Sequence, residues 1–291
     1  MLKPEVESLV PGQSFDRRSF VKTALGSAFA AAALPVMAQA IKTDFAGLTA
    51  GEVTIGSGGF SMPAYRAQPE GKTRLPVVLV VSEIFGVHEH IADICRRFAK
   101  LGYLAIAPEL FARQGDPGSF GTIQELQARL ISKVPDEQVM GDLDATVAWA
   151  AANGGNTGKL AITGFCWGGR VTWLYAAHSR QVKAAVAWYG QLMGEPTLIK
   201  PKNPIDLVGE LKVPVLGLYG GKDTGITQEQ VEKMKAALAE SGNPNARSSV
   251  FVVYPESGHA FNADYRPSYR EADARDGWQR CLASFRQHGV S

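Results

Sequence analysis

The run Leu75-Pro76-Val77-Val78-Leu79-Val80-Val81 constrains the fold more than any other segment. It carries no polar side chain, so a strand made from it must be covered on both faces. Further short apolar runs follow at Tyr103 to Ala107, Lys159 to Thr163, Val182 to Trp188, Val213 to Tyr219 and Ser249 to Tyr254. Helical spacing separates them. Ile91, Ile94, Cys95, Phe98 and Leu101 share one face, and Gly102 closes that segment. Further helical patterns cover 121–133, 136–152 behind Pro135, a stretch including Val171 to Ala177, 227–240, and a closing helix from Ser268 to Gln287. Strands alternating with helices predict crossover units, hence a mostly parallel sheet with helices on both faces. Ahead of this lies a polar, Gly-rich stretch, Thr43 to Gly59, with strand-like pieces at Glu52 to Ile55 and then Met62 to Gln68. No repeat, low-complexity tract or linker divides residues 41–291, which read as a single α/β domain.

The first 40 residues have a different character. Arg17-Arg18-Ser19-Phe20-Val21-Lys22 is a twin-arginine motif; an apolar, Ala-rich run from Ala24 to Val36 follows, and Ala38-Gln39-Ala40 is an A-x-A cleavage site. This pattern predicts a cleaved leader over 1–40 that engages the twin-arginine (Tat) translocon and sends the protein to the periplasm or beyond. The run is too short for a good spanning helix, so no permanent membrane anchor is expected. At 45% hydrophobic and 20% charged residues, the composition is that of an ordinary globular protein. A net charge of +2 and the lack of a basic stripe give nucleic acid no footprint.

Three cysteines are present, so one thiol at least stays unpaired in an exported chain. Cys95 and Cys281 sit in helical patterns and read as small buried hydrophobes. Cys166 lies in Gly164-Phe165-Cys166-Trp167-Gly168-Gly169, between a predicted strand and a predicted helix. That is G-x-S-x-G with Cys for Ser, a nucleophile elbow whose sharp turn needs residues without bulk beside the nucleophile. The helix N-terminus behind it favours negative charge on sulfur and on an oxyanion, and the backbone N–H of Trp167 is one oxyanion donor. Two more strand ends carry partners: Gly220-Gly221-Lys222-Asp223 and Glu256-Ser257-Gly258-His259. The chain order Cys166, Asp223, His259 is that of an α/β-hydrolase triad, with His259 moving the proton and Asp223 orienting it. His88 and His90 form an H-x-H pair, but no second ligand cluster accompanies it, so no metal is expected; either could lie at the site mouth. Trp167, Trp173, Trp188 and Tyr189 surround the elbow in sequence, as pocket walls or as core.

The chain resembles the dienelactone hydrolase family. Glu83-Ile84-Phe85-Gly86 after the first buried strand is similar to the family's E-I-F-G segment. Pro108-Glu109-Leu110-Phe111-Ala112-Arg113 is similar to its P-D-L-Y-A-R segment, and the Cys166 elbow to its G-[FY]-C-x-G-G. The likeness covers roughly residues 50–288. It implies that Glu83 sits near the resting thiol and helps control its ionisation, that Ile84 supplies the second oxyanion N–H, and that Arg113 helps bind a substrate carboxylate. There are departures. Members that act on dienelactone carry an Arg four residues after the catalytic His, where this chain has Ala263; Arg266 and Arg270 are the nearby candidates. Phe111 stands where the family segment has Tyr.

These features lead to an expected ester or lactone hydrolase that needs no cofactor, takes a small-molecule substrate and works as a monomer. Two other readings use the same residues: a broad carboxylesterase or thioesterase, and a non-catalytic periplasmic binding or redox-sensing protein on a shared fold.

Overall fold

The computed structural model describes residues 40–291. The predicted leader, apart from Ala40, lies outside the described residues. Eight strands form one sheet: β1 (Leu48–Ser57), β2 (Phe60–Pro69), β3 (Leu75–Val81), β4 (Leu104–Pro108), β5 (Gly155–Phe165), β6 (Val182–Trp188), β7 (Val215–Gly220) and β8 (Val250–Tyr254). Their spatial order is β1-β2-β4-β3-β5-β6-β7-β8. From β4 to β8 every pairing is parallel, while β1 and β2 add an antiparallel edge. This is the architecture expected from the sequence.

β3 and β4 lie at the sheet centre because they can be buried on both faces. Val77 to Val81 and Leu104 to Ala107 have essentially no exposed surface. Each such aliphatic side chain contributes about 1.5–3 kcal/mol of burial free energy. The hairpin β1–β2 is longer than the strand-like pieces read from the sequence. In β1 exposed residues alternate with half-buried or buried ones, while β2 buries Met62, Ala64 and Ala67, and Gly51 and Gly56 dilute the β signal. Its two-residue turn, Gly58-Gly59, takes φ +54° and +76°, a conformation that suits glycine.

Helices α1 (Glu89–Lys100), α2 (Ile123–Arg129), α3 (Asp136–Ala152), α4 (Trp167–His178), α5 (Gln228–Glu240), α6 (Pro244–Arg247) and α7 (Glu271–Gln287) complete the fold. Helices α1 and α7 share one face of the sheet, where Phe98 packs on Trp278 and Phe285 with centroids 4.5 and 5.8 Å apart. Helices α3 and α4 lie together elsewhere and are joined by Tyr175 donating to Asp144 at 2.8 Å. The expected helix over 121–133 divides at Leu130, which leaves the helical region at φ −122°, and a 3₁₀ turn Ile131–Lys133 follows. Cys95 and Cys281 are buried and unpaired, and burial pushes both thiols well up. Among the described residues, no helix is long and apolar enough to cross a membrane.

Candidate active site

The parallel strands β5, β7 and β8 deliver Cys166, Asp223 and His259 from their C-terminal ends, the edge of such a sheet where ligands bind. Cys166 takes φ +54° and ψ −113°, a strained backbone for a residue with a Cβ. The elbow is held by the Cys166 N–H donating to Trp188 O at 3.0 Å. Its glycines are sterically required. A Cβ on Gly164 would stand 2.2 Å from Gly168 O, and one on Gly168 would stand 2.3 Å from Val81 O. The second contact shows α4 seated directly on the end of β3, from which the loop carrying Glu83 and Ile84 leaves. Trp167 is the first residue of α4, so its backbone N–H has no partner within the helix. No acidic residue occupies the first turn of α4 to offset the positive end of its dipole.

Asp223 is fully buried and anchored at both oxygens. Oδ1 accepts the backbone N–H groups of Gly225 and Ile226 at 2.8 and 2.9 Å, and Oδ2 lies 2.7 Å from His259 Nδ1. The Cys166 sulfur lies close enough to the imidazole to act on its charge. Burial opposes a charge on His259, but the sulfur and the Asp223 carboxylate outweigh it and raise the imidazole to about 10. The Tyr189 ring stands edge-on to His259 at 5.1 Å, on a backbone with φ +38°.

Glu83 is 1% exposed. Its Oε2 accepts the Tyr265 hydroxyl at 2.8 Å and lies 3.1 Å from His88 Nε2. Burial works against its charge, yet the His88 bond and the positive fields of His88, His90 and Arg266 prevail and hold the carboxyl at about 2. The fields of Glu83 and Cys166 both act on Tyr189 and Tyr265, so the carboxylate and the sulfur share one neighbourhood. Tyr189, Tyr265 and Arg266 are the parts of this cluster that the sequence did not single out or could not place. Tyr265 follows His259 by only six residues, so the length of that loop was an available signal. Of the aromatics near the elbow, Trp173 and Trp188 are core, bonded to Tyr219 and Thr163 at 3.1 Å each. Trp167 packs on Phe111 with centroids 4.6 Å apart. His90 is buried with its Nδ1 2.9 Å from Asp264, a structural pairing.

Arg113 is not brought into this cluster. Its guanidinium bonds Asp142 at 2.5 Å and Ser57 O at 2.7 Å, and lies over the Phe60 ring at 4.7 Å. Ser57 Oγ also donates to Asp142 at 2.6 Å. Arg113 thus ties the β1–β2 turn to α3. Arg266 is buried, and its positive field reaches Glu83, Tyr189 and Tyr265. Arg270 is exposed at the start of α7. Among the described residues, no three His, Cys, Asp or Glu side chains converge as a metal site.

Known proteins resemble this chain in family, sequence and fold. The model of the dienelactone hydrolase family matches residues 62–289. A Methylorubrum extorquens protein named "Putative carboxymethylenebutenolidase" is 54% identical over 289 residues, covering 99% of this chain and 98% of its own length. An Escherichia coli protein of the same name is 56% identical over 264 residues, covering 90% and 96%. A solved Klebsiella pneumoniae structure, described as a "Putative Dienelactone Hydrolase", superposes with a TM-score of 0.80 at 58% identity, covering 82% of this chain and 99% of that one. The dienelactone hydrolase-like promiscuous phosphotriesterase P91 shares the fold at 20% identity and a TM-score of 0.68. With an elbow, acid and histidine at the expected strand ends and a family match across almost all of the described residues, the chain belongs to the dienelactone hydrolase family.

Proposed function

We propose that this protein hydrolyses an ester or lactone by acyl transfer through Cys166. The observation that carries the proposal is the Asp223–His259 bond beside a sulfur held on a strained elbow at a helix N-terminus. Cys166 gives its proton to His259 as its sulfur forms a C–S bond to the acyl carbon; the carbonyl π bond opens onto oxygen, and that oxyanion is held by the N–H groups of Ile84 and Trp167. As the tetrahedral adduct collapses, the C–O bond breaks and the leaving alkoxide takes the His259 proton. Water then adds to the thioester and gives its proton to His259; the C–S bond breaks and the acid leaves. Asp223 keeps the imidazole in the correct tautomer throughout. Glu83 places a fixed negative charge in the neighbourhood of the sulfur, the position that the family resemblance implies for it.

For a substrate carboxylate, we assign the attracting charge to Arg266 in preference to Arg270. Arg266 is buried with its field on the site, whereas Arg270 is exposed. The bonds of Arg113 to Asp142 and Ser57 favour a structural role for it over the substrate contact its family segment implies. Residues 1–40 act, in this reading, as a twin-arginine leader cut after Ala40, which leaves a periplasmic or secreted single domain of 41–291. A panel of lactones and simple acyl esters, assayed with the 41–291 protein and with Cys166→Ala, tests the proposal. Cys166-dependent turnover of lactones above esters supports it. Preference for simple acyl esters supports the broader esterase or thioesterase reading.

A further inference from the structure

The described chain begins beside a buried carboxylate that the proposed chemistry does not use. Asp264, 2% exposed, lies on the loop after His259. Its Oδ1 is 2.9 Å from His90 Nδ1; its Oδ2 accepts from Arg97 Nη2 at 2.5 Å and from the backbone nitrogen of Ile41 at 3.3 Å. The residues that follow Ile41 are docked on α1. Thr43 N–H donates to Asp93 at 2.6 Å, Arg96 Nε donates to Thr43 O at 3.0 Å, and the Arg96 guanidinium lies 4.8 Å from the centre of the Phe45 ring. Lys100 bonds both Asp44 and Ala46 O. A cleft of about 600 Å³ opens beside Ile41, lined also by Arg97, Asn262, Tyr269, Arg275 and Trp278.

Charged groups surround that nitrogen. Arg96 and Arg97 are linked to Glu89, Asp93 and Asp264, and His90 also pairs with Asp264. The other charged groups facing the cleft are Glu271 and Arg275, which pair with each other at 2.6 Å, while Lys100 pairs with Asp44. Tyr269 is the remaining titratable group there. Asp264 Oδ2 is the carboxylate oxygen that faces Ile41 N directly.

We propose that Asp264 is a binding site for the α-ammonium group that leader removal creates at Ile41. The inference rests on the leader reading above. A signal peptidase adds water across the Ala40–Ile41 peptide bond: the C–N bond breaks, Ala40 departs with the leader as a carboxylate, and the Ile41 nitrogen takes up protons. An amide donor at 3.3 Å is thereby replaced by a cation facing a buried carboxylate, so that donor and acceptor carry opposite charges. The carboxylate also holds His90, which packs on Tyr265 at 5.2 Å, and Tyr265 bonds Glu83. Processing therefore tightens the loop that carries His259.

The sign of the pH dependence follows. The carboxylate raises the folded ammonium above its unfolded value of about 7.7–8.0. The added stability is fully present below that value and fades as pH rises through the folded one. The test uses the intact domain released from a removable N-terminal fusion so that it begins at Ile41, alongside the same protein acetylated at Nα. The free form is expected to melt about 2–4 °C higher at pH 6.5, with the gap shrinking in alkali. The gap is expected to vanish in Asp264→Asn, and in a chain with one extra Ala before Ile41. By ¹⁵N NMR, the free α-amino group should titrate above about 8. Equal melting of the free and acetylated forms, or an α-amino group that titrates at its ordinary value, overturns the proposal even if Asp264→Asn does not fold. Intact mass of the exported protein tests the leader reading separately. A mature chain that starts elsewhere overturns the processing role while leaving the melting result to judge the site.

Discussion

At the scale of single residues, the proposed triad is a set of mutually dependent charges. The sulfur is the strongest influence raising His259, so Cys166→Ala should return the imidazole from about 10 toward its ordinary 6.5, as read by NMR titration of the ring. A raised histidine stabilises the fold below about 6.5 and loses that contribution as pH climbs through about 10. Wild type should therefore lose more stability than Cys166→Ala over that interval in denaturant melts. Asp223→Asn keeps the shape of the site but can present the wrong tautomer to sulfur. We expect kcat to fall by about 10⁴ with a nearly unchanged melting temperature. A loss under tenfold would remove Asp223 from the mechanism. Glu83 has the opposite sign. A carboxyl held at about 2 contributes stability above its ordinary 4.5, and this is lost as pH falls toward 2. Melts from pH 6 to pH 2 should show a steeper decline for wild type than for Glu83→Gln; parallel curves would show that the buried carboxylate is not held ionised.

At the scale of elements, the elbow and the hairpin are where substitutions should be most costly. A Cβ at Gly164 or Gly168 meets backbone oxygens that cannot swing aside. Gly164→Ala should cost at least about 1–3 kcal/mol, as overpacking does, and displace α4 from β3. Arg113→Ala leaves Asp142 buried without its cation, at a cost of about 3–5 kcal/mol. Its signature is a lower melting temperature with an unchanged KM. A raised KM at full stability would return Arg113 to substrate binding. The elements differ in how legible they were. The bounds of β3 and β6 could be read to the residue because β3 is one continuous apolar run and β6 is broken only by Lys183. The β1–β2 hairpin was half-read, since a strand with one wet face and interior glycines carries a diluted signal. The Glu83–Tyr265 bond joins residues 182 apart in the chain, so no local pattern could announce it. The partner of Arg113 was hidden in the same way: its segment suggests a ligand contact, and only the fold shows Asp142 facing it.

At the scale of the whole molecule, one parallel sheet explains why three residues scattered from 166 to 259 converge. Chain order and strand ends sufficed to expect Cys166, Asp223 and His259 on one edge, because a crossover fold sends every such strand end to the same edge. The tyrosines and Arg266 that surround them come from the return loop after His259 and from the end of β6, and their places depend on packing. The experiment that bears most directly on the proposed chemistry is single-turnover hydrolysis by residues 41–291 across lactones and activated esters, with trapping of the acylated protein and mass mapping of the adduct. We expect an acyl group on Cys166, and a rate that falls by about 10⁴ or more in Cys166→Ala. Turnover that survives the loss of Cys166, or an acyl group trapped on another residue, would contradict the proposed mechanism.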